Sequence, residues 1–175
     1  LGKLLDANLA PGGRWADIEN PKVIIPVPGY DRHFDEFKKR GIECIPVPID
    51  HTGSGWVDWD SVASLMASDS SIVGFVHSGI YQNPTGYSET STDVSGMLGA
   101  LSGAANAKAM LIGDIAYRFH HIDPVGDNYV DVFDHLTGSS AALRDRIVHF
   151  YSTSKITGSS DGVAIARGTT DTLEQ

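Results

Sequence analysis

The chain has 175 residues, of which 41% are hydrophobic and 20% charged, an ordinary balance for one globular domain with a substantial core. Its net charge of -9 argues against nucleic acid or an anionic membrane as the main partner, because phosphate-rich surfaces are bound by clustered Lys and Arg. The single cysteine, Cys44, cannot form an internal disulfide, which favours a reducing, cytoplasmic compartment. No segment approaches the roughly 18 consecutive apolar residues of a membrane span.

Short apolar segments alternate with amphipathic ones along most of the chain. In chain order we predict a strand at Val23–Val27, a helix at Asp31–Arg40, a strand at Glu43–Val47, a helix at Asp58–Ala67, a strand at Ile72–His77, a helix at Thr92–Ala105, and strands at Ala109–Asp114 and Ile147–Tyr151. A further strand is predicted at Gly162–Arg167. This alternation predicts an α/β fold, a mostly parallel sheet flanked by helices in three α/β/α layers.

Polar motifs follow four of the predicted strands. They are Pro28-Gly-Tyr30, Tyr81-Gln-Asn83-Pro-Thr-Gly86, Asp114-Ile-Ala-Tyr117 and Ser152-Thr-Ser-Lys155. Functional residues of parallel sheets gather at the carboxyl ends of the strands. We therefore expect these groups to meet at one edge of the sheet.

Together these groups match what pyridoxal 5'-phosphate (PLP) requires of a protein. Its aldehyde needs a lysine for a Schiff base, and its ring nitrogen needs a carboxylate that keeps it protonated. Its phenolate oxygen accepts hydrogen bonds, its ring stacks on an aromatic side chain, and its phosphate takes hydroxyls and commonly an arginine. The candidates are Lys155 for the Schiff base, Asp114 for the ring nitrogen, Asn83 and Tyr117 for the phenolate oxygen, Tyr30 for stacking and Ser152 for the phosphate.

At these motifs, in this order, the chain resembles the fold-type-I PLP-dependent aminotransferases of the aspartate aminotransferase class. Within that class the segments Val27–Phe34 and Ala116–His121 are similar to the aspartate aminotransferases related to MocR-type proteins. The resemblance implies that Lys155 is the catalytic residue, and it implies the same cofactor-binding roles as above, with Ser154 a weaker phosphate contact.

The resemblance also implies what surrounds this segment in a family member. Residues 1–175 correspond to an incomplete PLP-binding large domain, without its N-terminal part and its C-terminal small domain. We expect the isolated chain to be inactive, and we expect a homodimer that acts on amino-acid and 2-oxo-acid substrates, aspartate among them. Many relatives carry a phosphate-binding arginine eight residues after the lysine, where this chain has Val163, and the next arginine is Arg167. Hydroxyls of Thr157, Ser159 or Ser160 are candidate replacements.

Three alternatives stay open at this point. A PLP-dependent lyase would use the same cofactor contacts, and a non-catalytic PLP-binding domain of a transcriptional regulator could keep them. Gly158-Ser-Ser160-Asp-Gly162 matches the nucleophile motif of α/β-hydrolases, but no histidine follows it as that mechanism needs. His120 and His121 are adjacent and therefore diverge, so they predict a structural role rather than a metal site.

Overall fold

The computed structural model describes residues 15–50, 56–120, 130–158 and 162–169. Within them lies a six-stranded sheet formed by β1 (Lys22–Val27), β2 (Glu43–Pro48), β3 (Ile72–His77), β4 (Met110–Asp114), β5 (Ile147–Ser152) and β6 (Ala164–Arg167). The strand order is β2-β1-β3-β4-β5-β6, with every pairing parallel except that of β5 with β6. The predicted mostly parallel sheet is confirmed.

Helices cover both faces of this sheet, as predicted. They are α1 (Asp31–Lys38), α2 (Trp59–Ser68), α3 (Ser91–Ser102) and the four-residue α4 (Ser154–Thr157). Phe37 of α1 packs with Val23 in one apolar cluster, whereas Met66 of α2 packs with Ile24 in another. Because adjacent residues of a strand point to opposite faces, these two clusters are the two cores of a three-layer structure.

The order of the strands places a crevice above the middle of the sheet. The chain passes from β1 to β2 on one side of β1 and then returns to β3 on its other side. Ligands of open α/β sheets bind beyond the carboxyl ends of the strands at such a reversal. The motifs that follow β1, β3, β4 and β5 all start from this edge.

The observed elements differ from the predicted ones at several boundaries. The helix predicted to reach Ala105 ends at Ser102, where Gly103 is its C-cap. A 3-10 helix at Gly138–Arg146 was not predicted, because Leu143 is its one buried residue and the segment therefore lacks an apolar period. The last strand, predicted at Gly162–Arg167, spans Ala164–Arg167 and runs antiparallel to its neighbour.

Some sequence interpretations fall outside the described residues. These are the replacement hydroxyls Ser159 and Ser160, the central part of the hydrolase-like motif, and His121. Among the helices that the structure describes, none combines the length and the apolar character needed to cross a membrane.

Candidate functional site

A cleft of about 280 Å³ opens at the carboxyl edge of the sheet, above β1, β3, β4 and β5. All six residues singled out from the sequence line it: Tyr30, Asn83, Asp114, Tyr117, Ser152 and Lys155. They come from four separate segments that the parallel strands bring to the same edge. The structure thus gathers the predicted groups, and the cleft also contains residues that sequence reasoning did not assign.

Asp114 ends β4 and is held by a histidine from α1. One carboxylate oxygen, Oδ2, lies 2.8 Å from Nε2 of His33, whose side chain is 8% exposed against 34% for that of Asp114. Since a carboxylate only accepts hydrogen bonds, the imidazole donates through Nε2–H. His33 therefore fixes the orientation of Asp114 and leaves part of the carboxylate facing the cleft.

Tyr30 lies at the mouth of the cleft and precedes the first turn of α1. It is the N-cap residue of that helix, and the backbone N–H of His33 donates to its carbonyl at 3.1 Å. The rings of Tyr30 and His33 meet edge to face, with centroids 5.4 Å apart. Because Tyr30 is 38% exposed, its ring is available to stack on a ligand that enters the cleft.

Lys155 follows β5 in the short helix α4, and its residue is exposed. Its Nζ lies 5.6 Å from the ring centroid of Tyr117, a cation–π distance. Nε2 of His120 lies 2.8 Å from the backbone carbonyl oxygen of Lys155, and it donates a hydrogen bond to that oxygen because a carbonyl only accepts. The turn after β4 thus contacts Lys155 twice, once at the side chain and once at the backbone.

The loop after β3 carries Asn83, which is exposed and lines the cleft. Its neighbour Gln82 is buried and connects two walls of the site. The Gln82 amide donates to the Pro28 carbonyl at 2.9 Å, and its oxygen accepts from the backbone and the hydroxyl of Thr85. Gln82 therefore ties the loop of Asn83 to the segment that carries Tyr30.

The hydroxyl groups of Ser152 and Ser154 are 2.7 Å apart at another wall of the cleft. Val163, at the position where relatives often carry an arginine, is 64% exposed. Arg167 forms an ion pair with Asp131 at 3.0 Å and does not line the cleft. Among the described residues, then, the cleft is lined by three serines that could serve a phosphate, Ser78, Ser152 and Ser154, and by no arginine.

The cleft combines a primary amine, a carboxylate with a fixed histidine, an aromatic ring, amide and phenol donors, and hydroxyls. This set can hold a planar heteroaromatic ring by stacking on the aromatic side chain and by placing the carboxylate at one edge of the ring. It can also bind a carbonyl carbon covalently through Lys155. Among the described residues, no three or more His, Cys, Asp or Glu side chains are grouped so that they could hold a metal ion. The structural role predicted for His120 is supported by its hydrogen bond to Lys155.

Sequence reasoning did not assign His33 or Gln82, and it gave His120 a structural role without a partner. One signal was available for His33, which follows Tyr30 by three residues at a helix start and therefore lies on the same face. Gln82 and His120 act through backbone carbonyls that are 54 and 35 residues away in sequence. No local pattern predicts such contacts.

Comparison with known proteins gives a family match for this chain. The family model described as aspartate amino-transferase matches residues 3–175. A Mycolicibacterium smegmatis protein, provisionally named an aminotransferase, is 37% identical over 171 residues, covering 97% of this chain and 38% of that protein. An aspartate aminotransferase of Corynebacterium glutamicum is 36% identical over 151 residues, 86% of this chain and 33% of that protein.

Solved structures agree with this result. An aspartate transaminase from Corynebacterium glutamicum superposes with a TM-score of 0.77 and 27% identity, over 99% of this chain and 40% of that one. Cystalysin from Treponema denticola, whose crystal structure contains PLP, superposes with a TM-score of 0.73 at 19% identity, over 99% of this chain and 40% of that one. At this identity the similarity shows only that the two chains share a fold. The chain spans between 33% and 38% of the length of the curated relatives that it matches.

Proposed function

The chain belongs to the aspartate aminotransferase family, and from that premise we propose that the protein is a PLP-dependent aminotransferase. It would transfer an amino group between an amino acid, with aspartate the first candidate, and a 2-oxo acid. One observation carries the proposal: the six residues selected from the sequence as PLP contacts all line one cleft at the carboxyl edge of the sheet.

The residues present fit PLP. Tyr30 offers an accessible ring face, and Asp114 keeps part of its carboxylate toward the cleft while His33 binds Oδ2. Asn83 and Tyr117 offer donors for a phenolate oxygen, and Ser152 is a hydroxyl donor for a phosphate. The Lys155 amine lines the same cleft, so every part of PLP has a complementary group there, although no arginine of the described residues lines the cleft beside the phosphate hydroxyls.

Each side chain has a defined task in this proposal. The Asp114 carboxylate, which His33 holds in place, would keep a proton on the pyridine nitrogen, and bound PLP would then supply a strong electron sink. Tyr30 fixes the plane of the ring by stacking on it. Lys155 would hold PLP covalently, and its amine would move the proton at the substrate Cα.

Several narrower proposals accompany this one. Residues 1–175 would be an incomplete PLP-binding large domain, in a homodimeric, cytoplasmic protein. The relation to the MocR-related group rests on the segments Val27–Phe34 and Ala116–His121 and stays a prediction. Aspartate as substrate is supported by the name of the Corynebacterium glutamicum relative.

A PLP-dependent lyase is the second candidate. It is supported by a C-S lyase from Staphylococcus hominis, which has this fold with a TM-score of 0.65 at 20% identity. The contacts with PLP would be the same, because the choice of reaction depends on which substrate bond is aligned against the ring. The products therefore have to separate the two activities.

The test is a single half-reaction. Full-length protein loaded with PLP is mixed with a panel of amino acids that includes aspartate, without a 2-oxo acid acceptor. Transamination yields one equivalent of 2-oxo acid per site and no ammonia, whereas a lyase releases ammonia catalytically. Lys155→Ala should abolish product, and Lys38→Ala, which changes an exposed lysine of α1, should not. PLP binding with no product from any amino acid would contradict both enzymatic proposals and favour the regulator domain.

A further inference from the structure

The turn that carries Lys155 leaves β5 and returns in β6, so these two strands close its ends. Ser152 and Ala164 are the last paired residues of the two strands. Between them lies α4, whose four residues include Lys155. A helix of one turn is not stable by itself, because it forms too few hydrogen bonds to offset the order that it imposes on the backbone. The position of Lys155 therefore depends on contacts that hold this turn in place.

Thr153 connects β5 to α4, and its backbone binds in both directions. Its N–H donates to the Val163 carbonyl at 3.0 Å, which extends the contact between the two chain segments beyond the last strand pair. Its own carbonyl accepts from the N–H groups of Ile156 and Thr157, both at 3.0 Å, and so starts α4. Thr153 thus links the helix that carries Lys155 to the returning chain.

The hydroxyl of Thr153 adds a further bond across the turn. Thr153 is the N-cap residue of α4, yet its side chain does not cap that helix. Its Oγ1 instead accepts from the backbone N–H of Val163 at 2.8 Å. An N-cap threonine ordinarily accepts from an N–H of its own helix. Here the hydroxyl binds the opposite end of the turn.

Gly162 and Val163 form the other side of this contact. Val163 takes part through its backbone N–H and carbonyl, whereas the residue as a whole is 64% exposed. A Cβ at Gly162 would lie 2.5 Å from the backbone nitrogen of Ser154 and 2.6 Å from its Cβ. Glycine therefore allows the returning chain to lie directly against the start of α4. Position 163, where relatives often carry an arginine, thus serves the turn through its backbone.

We propose that Thr153 is a positioning residue for Lys155 and acts through its two hydrogen bonds with Val163, which we call the Thr153 clasp. By fixing the returning chain against α4, the clasp holds the backbone of Lys155 where its amine reaches the cleft. His120 supports the same arrangement from the turn after β4, because its Nε2–H donates to the Lys155 carbonyl at 2.8 Å. The Lys155 turn is then held from two sides.

The clasp matters for the covalent bond with PLP, and this part rests on the proposed function. The bond forms when the neutral Lys155 amine condenses with the aldehyde carbon of PLP and one water molecule leaves. Such a reaction depends steeply on where the amine lies, since a displacement of about 1 Å can cost about a hundredfold in rate. The proposed contacts from Tyr30, Asn83 and Asp114 start from β1, β3 and β4 instead. Loss of the clasp should therefore weaken the covalent bond more than these contacts.

Hydrogen exchange in the full-length protein tests the clasp itself. Thr153→Val keeps the shape of the side chain but removes the acceptor for the Val163 N–H, whereas Thr153→Ser keeps the acceptor. The Val163 amide should exchange at least about tenfold faster in Thr153→Val than in the unaltered protein, and within about twofold of it in Thr153→Ser. Thr92→Val makes the same change at an exposed residue of α3 and should not alter this exchange. Equal exchange in Thr153→Val and the unaltered protein would refute the clasp.

Two ligands then separate the position of Lys155 from the shape of the cleft. Pyridoxine 5'-phosphate has an alcohol in place of the aldehyde, so it can make the other contacts of PLP but no covalent bond with Lys155. Thr153→Val is expected to weaken the binding of PLP about tenfold and to leave that of pyridoxine 5'-phosphate within about twofold. Thr153→Ser should restore the binding of PLP, and Thr92→Val should match the unaltered protein with both ligands.

The other outcomes each contradict a defined part of the proposal. An equal loss of affinity for both ligands in Thr153→Val, no loss for either, or a loss that serine does not restore would overturn the positioning role of Thr153. If the unaltered protein binds PLP no more tightly than pyridoxine 5'-phosphate, the proposed function fails, and the positioning role fails with it. The exchange of the Val163 amide does not depend on PLP and distinguishes this failure from the absence of the clasp.

Discussion

The contact between His33 and Asp114 shows how much one partly buried hydrogen bond can matter in the site. Its length of 2.8 Å and the low exposure of His33 are typical of a hydrogen bond to a charged group, which contributes about 1.5–3 kcal/mol. In the proposed function this energy orients the carboxylate that holds the ring nitrogen protonated. His33 should therefore affect the chemistry without touching the substrate.

We predict that His33→Phe lowers the rate of Cα proton removal at least about tenfold, the factor that corresponds to roughly 1.4 kcal/mol. Stopped-flow absorbance with deuterated and ordinary amino acid measures this step. His135→Phe changes a partly exposed histidine whose Nε2 lies 3.3 Å from the Ser95 hydroxyl, and should leave the rate unchanged. Equal rates for the His33 variant and the unaltered protein would show that Asp114 needs no such support.

The cleft residues could be selected from the sequence because each lies in a short polar motif at the end of a predicted strand. The residues that support them could not. His33 binds a partner 81 residues away, and Gln82 one 54 residues away. Such contacts depend on which strands become neighbours, and that choice is made by the packing of the whole sheet.

At the scale of elements, the packing of α2 against α3 depends on a glycine. An added Cβ at Gly96 would lie 2.3 Å from the ring of Trp59. That ring cannot swing away freely, because its Nε1–H donates to the buried Asp93 at 3.1 Å. Gly99, one turn along the same helix, has no atom within 4 Å of an added Cβ among the described residues.

Gly96→Ala should therefore destabilise the protein by about 1–3 kcal/mol through overpacking. Gly99→Ala should instead stabilise it by about 0.5–1 kcal/mol, because alanine loses less backbone entropy in a helix. Urea unfolding of the two variants checks the opposite signs. A similar free energy of unfolding for both would mean that α2 shifts to accommodate the added methyl group.

A surface ion pair joins the start of β1 to the turn before β3 and gives a pH-dependent prediction. Lys22 lies 2.8 Å from Asp69, and hydrogen bonds from Lys22 and Ser71 lower the pKa of Asp69 to about 2. The unfolded chain has an aspartate pKa of about 3.9. The folded state thus holds the charged form more strongly, so the stabilisation is complete above about pH 4 and is lost as pH falls toward 2.

Asp69→Asn should accordingly lower stability near neutral pH by less than about 1 kcal/mol, since the pair is partly exposed. The difference from the unaltered protein should shrink below pH 4 and vanish near pH 2. Urea midpoints recorded across this range provide the measurement. A difference that grows as pH falls would contradict the assignment of the pair.

The positions of most helices and strands followed from hydrophobic periodicity, but their arrangement relative to one another did not. The strand at Ile72–His77 was predicted with its observed bounds, and all six of its residues are buried. The direction of β6 was not predicted, because its burial is low and its pattern does not distinguish the two directions. The 3-10 helix at Gly138–Arg146 was missed because its sequence has no apolar periodicity.

For the whole molecule, the exposure of the cleft has a functional consequence. Tyr30, Asn83 and Lys155 are exposed, and no arginine of the described residues lines the cleft. We predict that the 175-residue chain by itself binds PLP weakly and shows no transamination. The check is to measure transamination turnover and PLP binding of this chain and of the Corynebacterium glutamicum aspartate aminotransferase side by side. Turnover comparable to that of the relative would contradict the prediction.

Lys155 is proposed to carry the cofactor, and trapping the covalent bond tests this directly. Full-length protein is loaded with PLP, reduced with borohydride so that the link becomes permanent, digested and analysed by mass spectrometry. The added mass is expected on the peptide that contains Lys155, and it should be lost in Lys155→Ala but not in Lys38→Ala. Modification at a different lysine, with Lys155 unmodified, would contradict it.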